Sequence, residues 1–203
     1  MKKIAIALVC MIMATGAAMA QKQFTFGPKI GVDYTHYWGK DVIHDGVFNY
    51  QAGLFMEYRF TNKFSIAPEV VFAAQGGKYE KEIDVPAVGK IGVDITDNVN
   101  YINVPVMFKY YVTPSLSIDL GPQVGFNVYS KYTAKGKKTD YKVTEDMKDD
   151  TESIDFGVGL GLTYNIAKDV FVQGRYTMGM TKVFKGAGED KNGNAQIAIG
   201  YRF

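Results

Sequence analysis

Long runs of alternating apolar and small or polar residues constrain this fold more than any other feature of the chain. From Ile154 to Ile166 every even-numbered position is apolar or aromatic, and the positions between are Asp, Gly, Thr or Asn. Residues 116–128 repeat the pattern, with Ser, Asp, Gly, Gln and Asn between the apolar positions. Successive side chains of a β-strand point to opposite faces, so each run predicts a long strand with one apolar face.

The same pattern predicts eight strands in all, at residues 24–34, 49–60, 64–80, 99–112, 116–133, 153–166, 170–184 and 194–203. Their connections alternate in length, with short turns at 61–63, 113–115 and 167–169 and long loops at 35–48, 81–98, 134–152 and 185–193. Every short turn therefore lies at one end of the sheet, the short-turn end, and every long loop lies at the other, the loop end.

Two all-β architectures are compatible with this pattern of strands and connections. A soluble sandwich or lipocalin-like barrel has strands of about five or six residues, and it turns its apolar face inward. Here the apolar face carries almost no charge over about ten residues per strand, the length that a membrane-spanning strand needs. We therefore predict the all-β class, as an eight-stranded antiparallel up-and-down transmembrane β-barrel with its apolar face toward lipid.

Residues 1–20 have the pattern of a cleaved signal peptide. Two lysines precede an apolar run at residues 4–13, and Ala18-Met19-Ala20 fits the small-residue rule for signal peptidase. A lipoprotein signal at Cys10 fits poorly because a valine, not a small residue, comes before it. We predict cleavage after Ala20 and a barrel domain at residues 21–203.

Charge and cysteine content exclude several classes of function. The full chain has 23 Lys and Arg against 21 Asp and Glu, and the predicted signal peptide holds two of the lysines. The exported chain is therefore formally neutral and lacks the basic patch of a nucleic-acid partner, so no nucleic-acid binding is expected. Its single Cys is also removed, which excludes disulfides and cysteine metal sites.

Aromatic residues cluster on the outward faces at the predicted strand ends. Near the short-turn end these are Tyr58, Phe60, Tyr110, Tyr164, Tyr201 and Phe203, and near the loop end they are Tyr34 and Tyr50. Such belts mark the two membrane interfaces. Tyr201 and Phe203 also resemble the C-terminal signal of the outer-membrane barrel assembly machinery, which we expect as a partner during biogenesis.

Several short segments resemble the PorT-like family of small outer-membrane β-barrels. They are GPKIGV at 27–32, FSIAPE at 64–69, QGGK at 75–78, YINVPV at 101–106, KYY at 109–111, GPQVG at 121–125 and DFG at 155–157. The resemblance implies a Gram-negative outer membrane and an integral eight-stranded barrel, and it implies little about activity. Some members serve protein secretion and gliding, but no residue here specifies that role.

Ten charged side chains are expected to point into the barrel. The basic ones are Lys29, Arg59, Lys109, Arg175 and Arg202, and the acidic ones are Asp33, Glu57, Glu69, Asp119 and Asp155. An eight-stranded barrel has an interior just wide enough for its own side chains. A balanced set therefore predicts a lumen plugged by structural ion pairs, whereas a selective pore favours a ring of one sign.

Turn geometry predicts two of the lumen neighbours. If Val112 and Leu116 flank the 113–115 turn as neighbours, Lys109 faces Asp119, and opposite charges across strands stabilise the pairing. The same rule at the 167–169 turn places Arg175 opposite a glycine, Gly161, which leaves room for the long side chain.

Catalysis and metal binding have weak support in the sequence. His36 and His44 are the only histidines, and Ser130 is the candidate nucleophile near the outer end of the fifth strand. His36, His44, Asp41 and Asp45 are too loosely spaced to indicate a metal site. We therefore predict no catalytic activity, no cofactor and no metal.

Loop 134–152 is the most charged external segment. Basic residues come first and acidic ones follow, as Lys135, Lys137, Lys138, Lys142, Glu145, Asp146, Lys148, Asp149, Asp150 and Glu152. We expect external loops that contact outer-membrane lipid and lipopolysaccharide or bind a charged protein or glycan, although a merely solvated loop is the simpler interpretation. A narrow pore for ions or small solutes and a lipid-modifying outer-membrane enzyme are the alternative functions.

Overall fold

The computed structural model describes residues 23–39, 46–85, 89–136, 142–186 and 190–203. Within these ranges there are nine strands: β1 Phe24–Trp38, β2 Val47–Arg59, β3 Phe64–Val85, β4 Gly89–Thr113, β5 Leu116–Gly136, β6 Lys142–Asp146, β7 Ile154–Asn165, β8 Val170–Gly179 and β9 Lys191–Tyr201. The same ranges contain no helix that is long and apolar enough to cross a membrane. The predicted signal peptide lies outside the described residues.

Eight of the strands close into a ring. The order is β4-β3-β2-β1-β9-β8-β7-β5, and a pairing between β4 and β5 closes it. Each neighbouring pair is antiparallel. Closure leaves no strand edge inside a bilayer, where an unpaired backbone group would cost several kcal/mol. The predicted eight-stranded antiparallel barrel is confirmed.

The barrel is apolar outside and polar inside. Leu160 is 57% exposed on the outer face, whereas Lys29 and Asp119 are 1% and 0% exposed in the interior. Aromatic side chains surround the short-turn end. There Phe203 packs on Phe26 and on Tyr201, with ring centroids 5.5 and 5.2 Å apart. This inversion of the soluble pattern is the one that a lipid environment stabilises.

Two of the predicted loops are wrong. Residues 81–98 belong mostly to β3 and β4, which continue as a hairpin to the pair Val85 and Gly89. Residues 134–152 contain the end of β5 and all of β6, a ninth strand that pairs with β5 alone. The sequence pattern hid both because apolar residues here alternate with charged ones on a sheet that has left the membrane.

Beyond the apolar band, strands β3 to β6 form one antiparallel sheet. We call it the external sheet, and it comprises residues 76–85, 89–100, 129–136 and 142–146. A register shift lies where β5 enters it, since Asn100 pairs with Tyr129 but Tyr101 pairs with Asn127. The bulged residue is Val128, and it reverses which side chains of β5 face inward.

Segments at the loop end fold over the barrel mouth. We call residues 147–152 and 180–185 the outer cap; backbone hydrogen bonds of 2.8 Å join the two segments. Thr151 and Val183 are each buried, and the Tyr37 ring packs beneath Phe184 with centroids 5.7 Å apart. The predicted strand 170–184 therefore ends early, at Gly179, because the chain bends inward to build this cap.

Candidate functional site

A three-residue ion cluster crosses the middle of the lumen, and we call it the central tier. Lys29 of β1 donates a hydrogen bond of 2.8 Å from Nζ to Glu69 Oε2 on β3. Arg175 of β8 donates to both oxygens of the same carboxylate, at 2.6 and 3.0 Å. All three side chains are buried. One carboxylate of β3 thus joins cations from β1 and β8, and the bond from Arg175 has the bidentate geometry that makes such bonds strong.

Small residues on β7 make room for the central tier. Arg175 lies opposite Gly161, which is the register expected from the 167–169 turn. A Cβ at Gly161 would lie 2.7 Å from the carbonyl oxygen of Gly174 and 3.2 Å from Arg175 Cβ. A Cβ at Gly159 would lie 3.3 Å from Arg175 Cδ. The glycines on this lumen face therefore serve packing around the guanidinium.

A second cluster lies nearer the short-turn end, and we call it the lower tier. Lys109 of β4 is opposite Asp119 of β5, with Nζ 3.5 Å from Oδ2. Glu57 is 4.0 Å from Lys109, 3.5 Å from Arg59 and 3.7 Å from Arg202 between the nearest nitrogen and carboxylate oxygens. One carboxylate therefore has three cations around it, and none of them donates a hydrogen bond to it.

Neutral donors supply the hydrogen bonds of Glu57 instead. Its Oε1 accepts from Tyr111 Oη at 2.6 Å and from Ser65 Oγ at 2.8 Å. Arg59 lies over the Tyr111 ring at 3.9 Å, and Arg202 lies over the Phe171 ring at 4.5 Å. The two guanidinium groups are thus held by stacking, which leaves their N–H edges free to bond in the plane.

The expected register of the lower tier is observed, although one premise for it is wrong. Val112 does not pair with Leu116; Thr113 does, and Tyr111 pairs with Ser117. The unpaired Val112 is a bulge at the turn. From Tyr111 toward the middle of the barrel the register is the expected one, so Lys109 still faces Asp119.

Asp33 and Asp155 point into the lumen but do not join ion pairs. Among the described residues, neither carboxylate has a Lys or Arg nitrogen within 4.0 Å. Asp33 accepts from Gln51 Nε2 at 2.8 Å, and Asp155 accepts from Asn192 Nδ2 at 2.9 Å. The predicted ion pairs of these two residues are not formed among the described residues; a side-chain amide bonds one oxygen of each carboxylate, and Asp33 Oδ2 is buried without a hydrogen-bond partner. Asp33 and Asp155 therefore add acidic groups toward the loop end, whereas the lower tier at the short-turn end holds three cations and two carboxylates.

The residues considered for catalysis do not come together. His36 is on the outer face of β1, and its Nε2 is 3.3 Å from Tyr176 Oη. Ser130 is buried on the other face and accepts a hydrogen bond from Asn127. His44 and its acidic neighbours lie outside the described residues. Within the described ranges no cluster of three His, Cys, Asp or Glu side chains is arranged to hold a metal ion.

Sequence reasoning missed Asp97, a buried acid of the external sheet. It lies on β4 on the loop side of Ile102, where the exposed apolar band of that strand begins. Burial raises the pKa of its carboxyl to about 6, and the neighbouring Asp190 carboxylate adds to the rise. Asp97 lies in the segment 81–98, for which the sequence pattern predicts a loop, so no alternation marks this side chain as buried.

Comparisons with known proteins agree with this architecture. Residues 19–185 match the profile of the outer membrane protein beta-barrel domain. No protein of curated function matches the chain.

Several solved outer-membrane proteins are similar to this chain at low sequence identity. Ail, the attachment invasion locus protein of Yersinia pestis, is similar at TM-score 0.51 and 16% identity, over 89% of this chain and 99% of that one. Neisserial surface protein A is similar at TM-score 0.46 and 11% identity, over 89% and 97%. OprG from Pseudomonas aeruginosa has TM-score 0.37 and 14% identity, over 89% and 95%. With the family profile matching most of its length, this chain belongs to the outer membrane protein beta-barrel domain family.

Proposed function

We propose that this chain is a non-conducting, non-catalytic outer-membrane barrel that acts through its external sheet and loops. The observation that carries the proposal is the central tier. Lys29, Glu69 and Arg175 join three walls of a barrel whose interior has room for little else. A permeating ion would have to break buried, hydrogen-bonded ion pairs, at a cost of several kcal/mol. The outer cap adds a second obstruction at the loop end.

The external sheet offers a specific place for an anionic partner. At its tip Lys135 of β5 is opposite Lys142 of β6 on one side and Asp94 of β4 on the other, whereas Lys131 nearer the barrel is opposite Asp146. Like charges on directly opposed residues destabilise a strand pair. A phosphate or acidic group between the two lysines removes that repulsion, so we propose lipopolysaccharide, or an acidic glycan or protein, as the partner at this tip.

Single-channel conductance of the refolded residues 21–203 in a planar bilayer tests the closed lumen. We expect the wild type to be silent over a wide voltage range. The double variant Glu69→Ala/Arg175→Ala removes the central tier and is expected to leak. Steady, reproducible openings of the wild type would sink the proposal and favour the alternative, a narrow pore for ions or small solutes.

Vesicle binding tests the partner. The probes are vesicles containing lipopolysaccharide and vesicles of phosphatidylcholine alone. We expect Lys135→Gln/Lys142→Gln to weaken binding to the first, whereas Lys131→Gln, at a position on the same strand nearer the barrel, serves as the matched control. Equal losses in all variants would contradict a site at the tip.

Three finer assignments complete the proposal. The short segments described above support a PorT-like member of the family from a Gram-negative envelope. Export requires removal of residues 1–20, which N-terminal sequencing of the outer-membrane protein checks. Tyr201 and Phe203, both exposed at the end of β9, are proposed as the signal read by the barrel assembly machinery.

A further inference from the structure

The short-turn end of the barrel contains a polar cavity that the proposed function does not use. Its volume is about 470 Å³, and the ends of β2 and β9 and two of the short turns line it. The charged residues in its lining are Glu57, Arg59, Lys168 and Arg202. We call it the short-turn cavity.

The charges of this cavity do not balance. Three cations and one carboxylate line it, which leaves two positive charges in excess. Glu57 does not fully compensate the charge of the two arginines. Its shortest distance to either of them is 3.5 Å, and one of its oxygens accepts hydrogen bonds from Tyr111 and Ser65 instead. Uncompensated charge in a partly enclosed site is unfavourable and attracts an anion.

Arg202 has an unmet hydrogen-bonding group at this cavity. Its side chain is 8% exposed, and its Nη2 is buried without a hydrogen-bond acceptor. A buried donor on a charged group is unfavourable when it has no acceptor. Arg202 Nη2 is 3.7 Å from Glu57 Oε2, stacking on Phe171 fixes the plane of the guanidinium, and the residue lines the cavity.

We propose that the short-turn cavity binds one phosphate group, free or carried by a lipid headgroup. Arg202 and Arg59 would supply paired N–H donors, and Lys168 would supply a point charge at the rim. A phosphate monoester carries about −1.5 to −2 charge at neutral pH, which matches the excess of two positive charges. The cavity volume of about 470 Å³ also accommodates a headgroup larger than the bare ion.

Isothermal titration calorimetry of residues 21–203, refolded in zwitterionic detergent at constant ionic strength, tests this site. The two probes are inorganic phosphate and glycerol 3-phosphate. We expect saturable binding of one ion per barrel, with Arg202→Gln weakening it at least about tenfold because a charge-assisted bond is lost. Arg202→Lys keeps the charge without the fork and should bind with intermediate strength. Tighter binding of inorganic phosphate supports a free ion, and tighter binding of glycerol 3-phosphate supports a headgroup.

Lys63→Gln is the matched control, since Lys63 is exposed in the 61–63 turn at the same end and is not in the cavity lining. Arg59→Gln is the second variant if Arg202→Gln does not refold, because the Arg59 side chain is 35% exposed. Absence of saturable heat with both probes, or an equal loss in Lys63→Gln, would overturn the proposal.

Discussion

Lys109 and Asp119 face each other across β4 and β5, and their pair is the centre of a buried network. Asp119 accepts hydrogen bonds from Ser117 Oγ at 2.6 Å and from Thr163 Oγ1 at 2.5 Å, and Lys109 Nζ donates to Thr163 at 3.1 Å. Lys109 is also the buried cation that lies between Asp119 and Glu57. Its removal would leave two carboxylates without that compensation.

We therefore expect Lys109→Met to lower the free energy of unfolding by about 3 kcal/mol or more, the usual effect of breaking a buried ion pair. Urea unfolding of the refolded protein in detergent or lipid measures it. Lys63→Met, in an exposed turn, should change little. The double variant Lys109→Met/Asp119→Leu should recover part of the loss. An unfolding curve of Lys109→Met identical to that of the wild type would contradict this role.

Glu69 is expected to matter as much as Lys109, for the opposite reason. Glu69→Gln would leave Lys29 and Arg175 buried without a shared anion, and like charges would then repel. We expect a loss of about 3 to 5 kcal/mol in the free energy of unfolding. Glu145→Gln on exposed β6 is the control. Comparable losses in both variants would show that the central tier contributes no more to the free energy of unfolding than an exposed carboxylate does.

Gly161 faces the lumen and Gly174 faces outward on the neighbouring strand, so alanine at the two positions should have different effects on stability. Gly161→Ala should destabilise the barrel, because its Cβ would lie 2.7 Å from a backbone oxygen beside Arg175. Gly174→Ala should be neutral or stabilising by up to about 1 kcal/mol, because a Cβ there meets nothing within 4 Å. Refolding yield and the urea midpoint measure both. The reverse ranking would mean that the register of β7 and β8 differs from the one described.

Asp97 should make the stability of the protein depend on pH. Its pKa rises from 3.8 to about 6 on folding, so the folded state binds the proton more tightly than the unfolded state. Stability from this group is therefore greatest below about pH 4 and falls as the pH rises through about 6. Asp97→Asn removes the buried charge, so the variant should gain stability over the wild type as pH increases across this window.

Thermal unfolding of wild type and Asp97→Asn between pH 4 and pH 8 measures that difference. Most other titrating groups are shared and cancel in the comparison. Asp146→Asn, at an exposed position of β6, should show no such trend. A wild-type-minus-variant difference that stays constant over this pH range would refute the assigned burial of Asp97.

Alternation and turn length predicted much of the barrel because both act locally. Period-two patterning decides which side chains share a face, and a three-residue turn decides the register beside it. Arg175 opposite Gly161 follows from those two rules. Lys109 faces Asp119 as predicted, but only because the bulge at Val112 offsets a turn shorter than the predicted one. The strands at the loop end were not predicted. Outside the membrane a strand does not need an uncharged apolar face, so its sequence is harder to distinguish from that of a loop.

What the sequence by itself determined was the wall: strands, their inward and outward faces, and the pairs next to the short turns. The tertiary structure decided which inward charges meet. Lys29, Glu69 and Arg175 are far apart in the chain and come together only because the sheet closes. The tertiary structure also gave Asp33 an amide partner on the neighbouring strand instead of a cation, and left Arg202 with a buried donor unpaired. Contacts across the lumen depend on the tilt and stagger of the whole ring, which no local pattern encodes.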